Sequence, residues 1–178
     1  MNDRLTKSDW IRHGLQTLAR EGANALKVGP MAAKLKVSRG SFYWHFRDIA
    51  DFRSQILESW QEHTTDQIIQ ELEAEKAEPD RLKHLMRRAL KAKPRLDRAI
   101  RSWAAADEDV ATIVAAVDAR RVTYIAKLLA AAGVESRKAL PRAAFMYWAY
   151  LGQAIVMDPR HSTLSATAVD DISDLFEK

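Results

Sequence analysis

Cysteine is absent from this sequence, and its 178 residues include only 6 glycines and 5 prolines. The first absence excludes disulfide frameworks, thiolate zinc sites and cysteine nucleophiles together, and it fits a reducing compartment. The second leaves too few turn-formers for disorder or a many-stranded β fold, while 47% hydrophobic residues are ample for a core. Strand alternation, internal repeats and low-complexity tracts are also missing. The longest uncharged stretch, residues 143–157, has 15 residues, short of the roughly 20 that span a bilayer. Residues 1–6 are polar with no apolar run behind them, so no secretory signal is expected and the expected location is the cytoplasm. Dinucleotide-binding and P-loop glycine patterns do not occur. The histidines, His13, His45, His63, His84 and His161, never pair at helical spacing, so neither a metal site nor a cofactor is expected. His63 with Asp66 and Asp80 with His84 read as surface contacts. No catalytic set emerges, and the chain is not expected to be an enzyme.

What is present is helical periodicity. Thr6 and Asp9 have capping-box spacing ahead of Ile11, Leu15 and Leu18, and Gly22 closes that helix. Pro30 opens a second, short helix to Lys36 containing Met31, Ala32 and Leu35. Ser38 is the N-cap of a third, Arg39 to Phe46. Longer helices follow: one through Ile49, Phe52, Ile56 and Trp60, continued or succeeded by Ile68, Ile69 and Leu72 as far as Pro79, and one from Leu82 to Leu90 before Pro94. Others run from Leu96 to Trp103, from Val110 to Leu129 with Gly133 as terminator, from Ala139 to Met157, and through Val169 to Phe176. The fold class is all-α.

Charge is distributed unevenly. Residues 1–53 carry a net +5, residues 54–80 a net −7, residues 81–101 a net +8 and the remainder a net −2. The acidic and basic blocks in succession read as neighbouring helices whose solvated faces attract each other; the alternative is a polyanion site.

Two helices as short as Pro30–Lys36 and Arg39–Phe46 are unstable alone and must pack on each other and on the first helix. That is a helix-turn-helix arrangement, in which the second helix enters the DNA major groove while the first crosses the backbone. If Phe42 and Phe46 point inward, Gly40, Ser41, Tyr43 and Trp44 point outward, flanked by Arg39 and His45. Tyr43 can donate to a phosphate or base edge, Ser41 and His45 can reach phosphate, Trp44 can press on a thymine methyl, and Gly40 allows close backbone approach. The alternative has Trp44 and Tyr43 packing on the following helix near Phe52.

The stretch Val37-Ser38-Arg39-Gly40-Ser41-Phe42-Tyr43-Trp44-His45-Phe46, preceded by a capped helix and followed by a charged turn and a long helix, resembles the DNA-binding domain of the TetR/AcrR family of bacterial transcriptional regulators. The likeness covers about Thr6 to Trp60. It implies an all-α homodimeric repressor with a DNA-binding domain at residues 1–50 and a larger ligand-binding and dimerisation domain at residues 51–178. Such a protein binds a near-palindromic operator and is released by a small-molecule effector. By the same likeness, Arg39, Ser41, Tyr43, Trp44 and His45 take DNA-contact positions, with Ser38 as cap. Three positions depart from the family pattern: Lys27 stands where a capping Thr is usual, Lys36 replaces the usual turn glycine, and Ile49 replaces a basic residue directed at phosphate. Lys34 or Arg47 would substitute for that last contact.

The helix from Ala139 is apolar nearly all round, through Phe145, Trp148, Leu151 and Ile155 among others, and that surplus needs a partner. Pairing with its copy, together with Ile172, Leu175 and Phe176 of the last helix, would make a four-helix dimer interface. Trp103, with Tyr124, His84 and Met86 on neighbouring helices, offers aromatic and thioether surface suited to an effector pocket; ordinary core packing is the alternative. The cations of residues 81–101 favour an anionic effector. Two other functions compete with the repressor, namely a helical protein-interaction module and a small-molecule-binding helical protein without DNA binding.

Overall fold

The computed structural model describes residues 5–74, 80–91, 95–156 and 164–177, which are helical with no strand among them. Pro79, Pro94, Met157 and His161 lie outside the described residues. The helices are α1 (Lys7–Glu21), α2 (Val28–Lys34), α3 (Arg39–Tyr43), α4 (Ile49–Gln61), α5 (Gln67–Ala74), α6 (Arg81–Lys91), α7 (Arg95–Ala104), α8 (Glu108–Ala131), α9 (Ser136–Leu151) and α10 (Ala166–Glu177). A 3₁₀ turn follows α1, and wide π turns follow α4 and α9. No described helix is long and apolar enough to cross a membrane. Two compact units form: one from Met1–Asp66 with Arg95–Val114, the other from Gln67–Pro94 with Ala115–Lys178.

The first unit is built around an aromatic cluster. α1 starts where Thr6 Oγ1 accepts from the Asp9 amide at 3.2 Å and Asp9 Oδ2 accepts from the Thr6 amide at 2.9 Å, satisfying two amides the helix cannot. The Thr6 hydroxyl, donating to Asp9 Oδ2 at 2.6 Å, and then the Thr6 amide hold the Asp9 carboxyl below its ordinary range. Trp10 on α1 meets Phe42 edge-on at 5.3 Å, and Phe42 in turn touches Phe46 at 5.0 Å and Phe52 at 5.4 Å. Gly14 lets α4 come this close: a Cβ there would lie 2.5 Å from both Ile56 Cδ1 and Phe52 Cζ. Further along α4, the buried Trp60 Nε1 donates to Asp97 Oδ1 on α7 at 2.7 Å, so the polar edge of a core indole is satisfied.

α2 begins at Val28, two residues before Pro30. The proline sits in the first turn, where amides have no helical partner, so its missing N–H costs nothing. Lys27 occupies the N-cap position and makes no side-chain cap bond. The turn into α3 forces Lys36 to φ 57°, in the left-handed region, at a cost of about 1 kcal/mol for a residue with a Cβ. Regular α3 ends at Tyr43, earlier than the spacing predicts, although the His45 and Phe46 amides still bond the Phe42 carbonyl at 2.9 and 3.1 Å.

The second unit packs Leu72, Leu82, Tyr124, Leu128, Leu129, Val134, Ala139, Ala143 and Met146 into one core, with Leu85, Met86 and Phe176 against it. α6 and α10 are joined by the bidentate Arg87–Asp170 pair, with Nε to Oδ1 at 2.8 Å, and by Lys83–Asp174 at 2.7 Å. Arg88 pairs with Glu71 of α5, and Lys83 also reaches Asp80 at 3.5 Å, so the acidic and basic sequence blocks do meet, while the acids of α10 share Lys83 and take up Arg87. Tyr147 of α9 donates to Asp118 Oδ1 on α8 at 2.6 Å and accepts from Arg121 at 3.3 Å; burial pushes its hydroxyl up to about 12.

Candidate nucleic-acid interface

The backbone of α3 divides its side chains into two sets. Phe42 and Phe46 are fully buried, as their four-residue spacing predicts, whereas Tyr43 is 60% and Trp44 78% exposed. Trp44 therefore does not pack on α4 near Phe52. Two large aromatics held in water on a helix of five residues are costly in apolar exposure, since each could bury 150–250 Å². They are well placed for a partner's surface. Gly40 fits the same picture: a Cβ there would meet only Ser38 Oγ at 3.5 Å, so nothing inside the chain calls for glycine at a position where alanine would favour the helix by about 1 kcal/mol.

The flanking residues are less outward than the sequence suggests. Ser41 is half-buried, and Trp10 Nε1 donates to its Oγ at 3.4 Å; the hydroxyl keeps its own proton for an outside acceptor. His45 Nε2 lies 2.9 Å from the Leu5 carbonyl. A carbonyl only accepts, so Nε2 carries the proton and the ring is tied to the start of α1. Its expected phosphate contact would have to use Nδ1 or give up this bond. Ser38 stands at the N-cap of α3, but its side chain makes no cap bond. The Arg39 guanidinium leans back over α2, where a Cβ on Gly29 would lie 2.9 Å from its Nη2.

Residues 22–47 contain five Lys or Arg and no Asp or Glu. Lys34 is the one held close by a carboxylate, with Nζ 2.5 Å from Glu21 Oε1. Arg47 lies 3.9 Å from Asp51 Oδ2 with its side chain largely in solvent, and its amide donates to that carboxylate at 2.9 Å, which chiefly holds Asp51 below the ordinary range. Lys27, Lys36 and Arg39 pair with no carboxylate among the described residues. Lys27 and Lys36 are exposed and were absent from the expected contact set; the missing acids around them are the sequence signal that points to them. Ile49 is half-buried as the first residue of α4, behind Asp48, whose side chain accepts from the Asp51 amide at 2.8 Å.

The residues expected to line an effector pocket are not brought together within one unit. Trp103 belongs to the first, where its Nε1 donates to Asp107 at 3.2 Å, Arg53 lies over its ring at 5.9 Å, and it lines a cleft of about 650 Å³ with Leu18, Gly22, Arg98 and Ser102. His84, Met86 and Tyr124 belong to the second, with Tyr124 in its core and Met86 packed against it. Of the residues expected at a dimer interface, Phe145, Trp148 and Leu175 are exposed, while Leu151, Ile155, Ile172 and Phe176 are half-buried. Phe145 and Phe176 meet as tilted rings 6.0 Å apart, and Arg142 donates to the Phe176 carbonyl at 2.6 Å, so α9 and α10 touch at this point.

No family model matches this chain, and no curated protein does. Solved structures do. One described as a transcriptional regulator of the TetR/AcrR family superposes with a TM-score of 0.80 at 17% identity, over 97% of this chain and 98% of that one. A TetR-family transcriptional regulator from Rhodococcus sp. superposes with a TM-score of 0.70 at 19% identity over all of both chains. At such identities the likeness establishes the fold: this chain has the all-α fold of TetR/AcrR-family regulators.

Proposed function

We propose that this protein is a dimeric transcriptional repressor that binds a near-palindromic DNA operator through residues 1–50 and is released by a small molecule bound within residues 51–178. The observation that carries the reading is the pairing of exposed Tyr43 and Trp44 with the five cations of residues 22–47, three of which pair with no described carboxylate. Aromatics there can reach base edges and thymine methyls, and the cations can replace the counterions of the phosphate backbone. The fold shared with TetR/AcrR regulators supports the same reading.

In this reading Tyr43, Trp44, Ser41 and the amide of Gly40 face bases and sugars. Arg39, Arg47, Lys34 and the half-tethered His45 face phosphates, with Lys34 exchanging Glu21 for DNA. The apolar face of Phe145, Trp148 and Leu175 pairs with its copy, setting two recognition helices about 34–36 Å apart, one turn of DNA. The effector contacts His84, Met86 or Tyr124 in one unit or Trp103 in the other. Because Lys83, Arg87 and Arg88 are already engaged by acids, the basic block alone no longer argues for an anionic compound. An effector that lowers operator affinity a hundredfold must prefer the DNA-free form by about 2.7 kcal/mol.

The test is binding of the purified chain to duplex DNA across a salt series. The reading requires affinity that falls steeply with salt, followed by recovery of an inverted-repeat sequence by selection. Binding that ignores salt, or none at all, would remove the DNA reading and favour the interaction module.

A further inference from the structure

Lys36 is an unusual residue for its place. It is the only non-glycine residue with positive φ among the described residues, it is exposed, and no described carboxylate pairs with it. Its backbone closes the turn, with its amide bonded to the Ala33 carbonyl at 3.1 Å and the Val37 amide to Ala32 at 3.0 Å. Glycine would make the same bonds without strain. The side chain therefore contributes nothing visible to the fold and opposes its backbone conformation. Strain of this kind is retained where the side chain has work outside the fold.

The position says what that work is. Lys36 lies three residues before Arg39, the first residue of α3, so their Cα atoms are at most about 11 Å apart. In a helix-turn-helix the N-terminal end of the recognition helix is the end that enters the groove, and the turn before it passes the phosphates at the groove's edge. A lysine stem with an unpaired ammonium reaches that edge. α4 itself opens on Ile49, which offers no cation there. We propose that Lys36 supplies a DNA phosphate contact from the turn between α2 and α3, at the expense of the turn's own stability. The inference rests on the DNA-binding reading above.

The experiment compares the full-length wild type with Lys36→Gly, Lys36→Gln and Lys36→Arg, measuring melting temperature and affinity for a fluorescein-labelled random duplex from low to physiological salt. Lys36→Gly should melt about 2–4 °C higher, while the slope of log affinity against log salt becomes shallower by about 1 for each protomer bound. Lys36→Gln, which keeps the strained backbone and removes the charge, should lose the same slope without the gain in melting temperature. Lys36→Arg should keep both wild-type values. If the wild type shows steep salt dependence and the Gly and Gln variants share it, Lys36 touches no phosphate and this inference fails while the DNA reading stands. If the wild type shows no salt-dependent binding, both fail together. A Gly variant that melts at or below the wild type would show that the side chain serves the fold, which also overturns the proposal.

Discussion

α3 and α9 each hold a tryptophan out in water, Trp44 and Trp148, and each places a second aromatic beside it, Tyr43 and Phe145. By exposure alone the two surfaces are equivalent. Their surroundings are not. The α3 stretch, residues 22–47, has five cations, of which only Lys34 and Arg47 meet a described carboxylate, a glycine with no internal reason and a phenol that can donate. On α9, Phe145 meets Phe176, and Arg142 is turned into a carbonyl of α10. An aromatic among cations suits a polyanion; one among aliphatic and aromatic carbon suits another apolar face. Exposed hydrophobic area says that a partner exists, and the chemistry around it says which kind.

The comparison can be broken most decisively from underneath. Phe42→Ala removes the ring that Trp10, Phe46 and Phe52 share and should cost about 3–5 kcal/mol, seen in thermal or urea unfolding. If stability hardly changed, the inward and outward faces of α3 would be misassigned and Tyr43 and Trp44 would lose their significance. Next in size is Trp148→Glu on α9. Central aromatics of an interface contribute 2 kcal/mol or more, so a dimer should dissociate at least about thirtyfold more readily in sedimentation, with the helical spectrum unchanged. A monomeric wild type at micromolar concentration would refute the pairing.

Tyr43→Ala or Trp44→Ala should weaken operator binding by about 1–3 kcal/mol and leave the melting temperature and self-association as they were. An effect on assembly instead would assign both aromatic surfaces to the same kind of partner. The smallest effect concerns His13 on α1. Burial first, then the nearby charge of Lys34, holds its imidazole below the usual 6.5. A histidine whose folded value is depressed supports the fold above its unfolded value and withdraws that support as pH falls. Stability should therefore decline below about pH 6.5, and His13→Gln should flatten that slope while leaving DNA binding near neutral pH intact.

Much of this was legible because it is local. The capping box of Thr6 and Asp9, the inward pair Phe42 and Phe46, and the helix-ending glycines Gly22 and Gly133 depend on residues a turn or less apart. What escaped depends on distance in sequence. Ser41 meets Trp10 across 31 positions and His45 meets Leu5 across 40, and no periodicity reports such pairs. Trp103, Tyr124, His84 and Met86 lie on helices in succession, but succession does not fix which helices share a core, and Trp103 belongs to a different unit from the other three. Likewise adjacency in sequence accounts for Arg88 with Glu71 and Lys83 with Asp80, whereas Asp170 and Asp174, more than 80 residues downstream of Arg87 and Lys83, are partners that no local pattern reports.

The exposure pattern of the tryptophans makes the chain its own reporter. Trp10 and Trp60 are sealed in the first unit and Trp103 nearly so, while Trp44 and Trp148 stand in solvent. A soluble quencher such as iodide should reach two emitters of the five, both red-shifted. DNA should shield Trp44 and spare Trp148, self-association should do the reverse, and neither should move the blue emission of the three inside. Fluorescence without any added label therefore separates the two kinds of partnership in a single cuvette.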